Sequence, residues 1–296
     1  MADQYAAATG LIARSAAGYV SGVPEDAADD GFFGPASVTW RVSTDLASPV
    51  AGLRSLLMQA LHPLAMAGVD RHSGWRRDPV GRLAATSAYL AAITFGERAA
   101  ASAVAARVRG IHGHVRGTDA VTGRRYAASD PALLLWVHTT LVQSSLAAGW
   151  AFGAPLSAQD SDRYVAEMRV AAELVGVPRP LVPASVADLE RYVASVQPEL
   201  RCTLAAAESM GYLLDPPGLE EDVAGFWRDV RDAAIAVLPD WAREMYGYGL
   251  PPPLTPRRRT AIRQSLGILD VMVLGEPGVL EARQRIAQRM RAGQPA

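Results

Sequence analysis

Five histidines, His62, His72, His112, His114 and His138, fall within less than a third of a 296-residue chain. They do not stand in equivalent surroundings. On a helix, His112 continues the stripe Ala101, Ala105, Val108, His112, Val115, which is apolar throughout. His114, two residues on, points about 200° away. Its own stripe, Ala103, Arg107, Gly110, His114, is polar and reads as wet. A second group lies just upstream. Arg82, Thr86 and Tyr89 recur at i, i+4 and i+7, so they share one helical face, with Arg82 near a rim and the other two pointing inward. His138 lies on Leu134, His138, Leu141 and Ser145 of a segment without charge. His62 precedes Pro63 at an expected helix kink, and His72 falls in a loop.

Inward-facing polar groups are costly unless they are satisfied or hold something. The satisfied alternative is explicit for each. His138 would bond Ser145 or a backbone carbonyl, and His62 would serve carbonyls freed at the kink. Arg82 would pair with a carboxylate. The chemical alternative is a ligand site. Arg82 supplies fixed donors for a carboxylate or a bound oxygen species. Thr86 and Tyr89 orient a small molecule, and a histidine ligates a metal.

Other chemistries lack their residues. The chain has no lysine and no asparagine, which removes Schiff-base, P-loop and axial-lysine chemistry. A single cysteine, Cys202, excludes intramolecular disulfides, cysteine zinc sites, iron–sulfur clusters and covalent CxxCH haem attachment. Neither HExxH nor a Gly-x-Ser-x-Gly elbow nor a strand-borne GxGxxG occurs. A non-haem iron triad of His112 and His138 with Asp70 or Asp78 stays open. The net charge of −1 gives no reason to expect nucleic acid as a partner.

These residues sit in a helical frame. Leu53, Leu56, Leu57, Ala60 and Leu61 recur at helix spacing until Pro63 kinks or ends the helix. Asp78-Pro79 starts a helix that Gly96 closes, and Glu97 starts the next. After Gly117 a turn-rich excursion allows a small hairpin around Val121-Thr122-Gly123. Asp130-Pro131 starts the uncharged helix. Its apolar length approaches that of a membrane span, but His138, Thr139, Thr140, Gln143, Ser144 and Ser145 interrupt it, so it reads as a core helix. Further helices are expected near 158–175, 185–196, 198–213, 219–237, 239–246, 256–274 and 279–292, with a rigid loop GYGLPPPLTP between two of them. The expected architecture is all-α: an N-terminal arm over 1–34, then one globular multi-helix domain over 35–292. No signal peptide is apparent, and with one cysteine this points to a cytoplasmic protein.

The runs LRSLLMQALHPLAMAGVDRHSGWRRDPVGRLAATSAYLAAITFG and RVRGIHGHVRGTDAVTGRRYAASDPALLLWVHTTLVQSSL resemble the MpaB oxygenase family, relatives of the rubber-cleaving latex clearing proteins. The resemblance covers about residues 35–215. It implies an all-helical fold enclosing a buried pocket for non-covalent haem b. It implies His112 as the proximal iron ligand, its other ring nitrogen fixed by a neighbouring group, and Arg82 and Thr86 on the distal side. Tyr89 and His138 would line the pocket, and His62 is a further haem-side candidate. The implied reaction is oxygenation or oxidation of a hydrophobic or aromatic small molecule with O2 or peroxide, with an electron donor where the reaction needs one, by a monomer or homodimer. A non-catalytic haem sensor or carrier is the alternative. Two departures matter. The lysine that can cap iron in latex clearing proteins is Ala85 here, and their proposed catalytic glutamate has no counterpart in LHPLAMAGVD. A lysine-closed resting state is therefore excluded, and the substrate should differ from rubber.

Overall fold

Local stop and start signals divide the chain into helices, as side-chain caps show directly. Asp78 accepts a hydrogen bond from the Gly81 amide, with Pro79 in the first helical position. Asp130 accepts from Ala132, Ser157 from Asp160, Ser185 from Asp188 and Thr203 from Ala206. Each such cap is worth about 1 kcal/mol. Gly176 ends its helix in the left-handed region at φ 109°, where a side chain would be strained.

The computed structural model describes residues 31–273, apart from 35, 220 and 248–253. The expected helix over 279–292 lies outside the described residues, as do most of the N-terminal arm and most of the GYGLPPPLTP loop. The helices are α1 (Val38–Ser43), α2 (Ser48–Ala60), α3 (Pro63–His72), α4 (Pro79–Phe95), α5 (Arg98–His114), α6 (Pro131–Phe152), α7 (Ala158–Val175), α8 (Val186–Val196), α9 (Leu204–Leu214), α10 (Glu221–Ala236), α11 (Asp240–Met245) and α12 (Pro256–Val273). Between α5 and α6 lies an antiparallel hairpin of β1 (Arg116–Thr118) and β2 (Arg125–Ala127), pairing Gly117 with Tyr126. The fold is all-α, as the periodicity indicates. Of the two outcomes expected at Pro63, the helix ends: α2 stops at Ala60 and Pro63 opens a separate helix, α3, with His62 at its cap. Two boundaries differ from expectation. His72, expected in a loop, is the last residue of α3, because the helix runs on to its cap at Ser73 before the turn at Gly74. The helix expected from residue 198 begins at Leu204, because Pro198 lies in a 3-10 turn and Thr203 supplies the cap.

Helix α6 is the axis. It packs most extensively on α2 and also on α7 and α8. On one side, Leu57, Met58, Trp136, Phe152, Val230, Ala233, Ile262 and Leu266 form the larger core. On the other, Ile93, Ala101, Ala105, Val142, Leu146, Tyr164 and Val165 form a second. α6 is long and apolar enough to cross a membrane by length and composition, yet 67% of its apolar window is buried inside the fold. A helix hydrophobic on all sides belongs in such a centre.

With no lysine available, arginines finish several helix ends. Arg54, 3% exposed, donates through Nε to Val237 O (2.8 Å), just past α10, and through Nη1 to Ser144 Oγ (2.7 Å). Burial lowers its pKa to about 10. Arg263 donates to Phe152 O and Gly153 O at the end of α6, and Arg109 donates to Leu174 O at the end of α7. A cation placed on carbonyls at a helix C-terminus also complements the helix dipole.

The hairpin docks through Tyr126, 5% exposed, which packs with Leu64, Leu133 and Val115. A Cβ on Gly117 would lie 2.6 Å from Tyr126 Oη, so the facing strand must carry glycine there. Gly117→Ala should therefore cost about 1–3 kcal/mol by pushing the hairpin off α3. Urea unfolding checks this, and an unchanged midpoint would show that the hairpin shifts without penalty.

Candidate functional site

The α4–α5 hairpin builds the site. Its turn at Gly96–Glu97 sends α5 back along α4, so residues near the start of α4 lie level with the end of α5. Burying Ala101 and Ala105, both 0% exposed, fixes the phase of α5. Further along the same stripe, Val108 and His112 are half-buried, while His114 is exposed and its Nδ1 lies 2.8 Å from Gly110 O. The structure thus separates the two histidines as their stripes predict.

His112 Nδ1 is enclosed and has no hydrogen-bond partner among the described residues. The neighbouring group expected to hold its second nitrogen is not supplied at Nδ1. Its pKa is lowered, first by burial and then by the charge of Arg82, which lies near enough to act on it. An imidazole kept neutral is ready to ligate a metal. The backbone around it is secured: Val115 N donates to His112 O (3.2 Å), and Ala128 N of the hairpin donates to Val115 O (2.8 Å).

Arg82 is exposed at the rim and Thr86 is half-buried behind it. Arg82 Nη1 donates to Thr86 Oγ1 (3.2 Å), and Thr86 Oγ1 donates to Arg82 O (3.0 Å). Thr86 therefore serves Arg82 as a neutral acceptor on the same face of α4. Tyr89 packs into the second core, and burial raises its pKa to about 12, so its phenol keeps its proton. Arg109, which sequence reasoning passed over, lies close enough to oppose that shift.

His138 enters from α6, one turn from Val142, which shares the second core with Tyr89 and Ala105. It is 8% exposed, and burial lowers its pKa to about 4. The partner expected for it is engaged elsewhere, since Ser145 Oγ donates to Leu141 O (3.0 Å). Beside it, Thr139 is 0% exposed with its hydroxyl unpartnered. Val137, in the middle of this core helix, is nevertheless 40% exposed. The α4 face behaves similarly: apart from Ala84, Ala88 and its last turn, its described residues are not fully covered.

The other histidines divide. His62 is 6% exposed with Nδ1 enclosed and unpartnered, and its ring lies 6.1 Å from that of Trp136. Burial lowers its pKa, and Glu199 and Arg124 also act on it, which places it toward the hairpin and the 3-10 turn. It serves no kink carbonyl through Nδ1. His72 Nε2 lies 3.2 Å from Tyr126 Oη. No three His, Cys, Asp or Glu side chains cluster as a metal site among the described residues. Asp70 is tied to Arg76 and Asp78 caps α4, so the non-haem triad is not assembled.

Set against known proteins, residues 40–270 match the family described as the catalytic domain of ER-bound oxygenase mpaB/B′ and rubber oxygenase. The match spans well over half the chain, and the chain belongs to this family of oxygenase catalytic domains. No curated protein and no solved structure matches it.

The buried histidine gives a pH test. An unfolded histidine titrates near pH 6.5, whereas His138 in the fold binds a proton only near pH 4. Stability is complete above pH 6.5 and falls as the pH drops toward 4, by about 3 kcal/mol. Urea unfolding between pH 7 and 4 should show this slope, and His138→Gln should reduce it, leaving the part due to His62 and His112, whose pKa values burial also lowers. An equal slope in both proteins would contradict the assignment.

Proposed function

We propose that the protein is a haem b-dependent oxygenase of a hydrophobic or aromatic small molecule, with His112 as the iron ligand. One observation carries the reading: an enclosed, unpartnered imidazole nitrogen on His112, on which the charge of Arg82 also acts. Leaving such a nitrogen without a partner costs about 1–3 kcal/mol. A coordinating ligand removes that cost. Membership of an oxygenase family supports catalysis over mere carriage.

The donor set suits haem. A neutral imidazole ligates iron, and an arginine at the rim holds carboxylates. Bound haem would supply the centre at which O2 or a peroxide is activated. The chain's own residues do the rest. Arg82 binds propionate or polarises an oxygen atom, since its guanidinium carries five donors. Thr86 keeps that guanidinium aligned by accepting from Nη1. Its own proton is spent on Arg82 O, so it orients and does not act as an acid. Tyr89 offers a hydrogen bond without ionising. His138 stays neutral near pH 7 and so acts as a hydrogen-bonding group and not as an imidazolium donor. Ala85 brings no side chain that could close the distal side.

Protein produced with ample haem should show a Soret absorption band. Thr86→Val and Arg82→Leu should keep that band while lowering substrate-dependent O2 or peroxide consumption about 10- to 1000-fold, the range for lost positioning and electrostatic stabilisation. A colourless protein that takes up no haem on titration would sink the proposal. Unchanged turnover in both variants would remove Arg82 and Thr86 from it.

A further inference from the structure

We infer that the cleft where α6 ends, between the α1–α2 loop and α12, is a binding site for a carboxylate carried on an apolar body, such as an aryl carboxylate. It lies apart from the site of His112 and does not depend on the oxygenase reading. From His138 to Phe152 the axis of α6 runs about 20 Å, at about 1.5 Å per residue.

The cleft has a volume of about 400 Å³, within the range of small-molecule sites, about 300–1,000 Å³. Three segments meet around it: the end of α1 with its following loop, the chain leaving α6, and Arg263 of α12. Close packing builds its walls. The Asp45 carboxylate accepts from the amides of Ala47 and Ala154 (both 2.8 Å), which ties the α1–α2 loop to the chain beyond α6. A Cβ on Gly153 would collide with that carboxylate, so glycine is required there. Arg263 donates through Nε to Phe152 O (3.1 Å) and through Nη2 to Gly153 O (3.2 Å), which ties α12 to the same residues.

These bonds use up acceptors and leave donors. Both Asp45 oxygens hold amides, and the carbonyls that end α6 hold Arg263, which also covers the negative end of the helix dipole. The Thr44 hydroxyl gives its proton to Trp40 O and keeps only its oxygen. Arg41 donates through Nη2 to Asp160 (2.7 Å), and 50% of its side chain stays exposed. Its Nε and Nη1, and the Nη1 of Arg263, have no partner among the described residues. The charges agree with the hydrogen bonds. Asp45 is the only carboxylate among the lining residues, and two guanidinium groups line the cleft with it. Behind them, Asp160 pairs with Arg41, and Arg259 lies over the Phe152 ring, its guanidinium carbon 5.3 Å from the centroid. One further negative charge balances the group. The planar fork of an arginine matches a carboxylate in shape as well as charge. Leu46 and Ala154 add apolar wall, which favours an anion with an apolar body over a small hydrated one.

Calorimetric titration of the full chain at pH 7.5 with benzoate, benzyl alcohol and inorganic phosphate tests this. Benzyl alcohol keeps the ring without the charge, and phosphate keeps the charge without the ring. Benzoate should bind at least about tenfold more tightly than either. Arg41→Gln removes only an exposed ion pair, worth little to stability, and should lose about tenfold in benzoate affinity. Arg263→Gln should lose affinity in the same direction; should it fail to fold, Arg41→Gln still decides. Arg82→Leu should bind benzoate as the wild type does, and added haem should leave the affinity unchanged. Absent benzoate binding, equal binding of benzyl alcohol or phosphate, or unchanged affinity in Arg41→Gln would overturn the inference. So would a loss in Arg82→Leu or a haem-dependent affinity, either of which would place benzoate near His112. Benzoate binding by a protein that takes up no haem would remove the oxygenase reading and leave the cleft standing.

Discussion

Two alanines set the position of the imidazole. Ala101 and Ala105 pack without residual exposure against the second core, and their small side chains let α5 approach α4 and α7 closely. Helical geometry then carries the stripe through Val108 to His112, which is half-buried with its Nδ1 enclosed. His114 pays nothing because it lies on the other side and meets solvent. Once His112 points inward, its enclosed nitrogen, its lowered pKa and its exposure to the charge of Arg82 follow from the same packing. A larger residue at 101 or 105 would move the helix and the imidazole together.

The fold surrounds this hairpin with a rigid frame and leaves one face incomplete. α6 is held from one side by α2, α10 and α12 and from the other by α7. Arg54 and Arg263 pin helix ends to that frame. The hairpin, through Tyr126 and the Ala128–Val115 hydrogen bond, steadies the turn that carries His112. In contrast, α4 makes extensive contact only with α5 and α1 among the described residues. Apolar helices do not stay partly uncovered without cost.

Much of this was legible in the sequence, and the reason is locality. Asp78-Pro79, Asp130-Pro131, Ser157 and Ser185 signal helix starts within three residues, and the structure places caps at all four. The contrast between His112 and His114 needed only a helical phase. What escaped depends on residues distant in the chain. Arg54 meets Val237 across 183 positions and His72 meets Tyr126 across 54, and no local pattern announces either. His62 was legible as a residue at a break, but not as an imidazole packed on Trp136. For His138 burial was readable, whereas the fate of Ser145 was not: it lies two turns along the same face, out of reach, and spends its proton on Leu141 O. Thr139 was passed over because a hydroxyl in a helix is normally satisfied by its own backbone, as Thr140 and Ser145 are.

The assignment of His112 to iron is tested most directly by removing the imidazole and returning it. His112→Gly protein, titrated with haem in the absence and presence of free imidazole, should bind haem weakly alone and recover a histidine-type spectrum when imidazole is added. Haem bound by His112→Gly with wild-type affinity and an unchanged spectrum, indifferent to imidazole, would contradict the account.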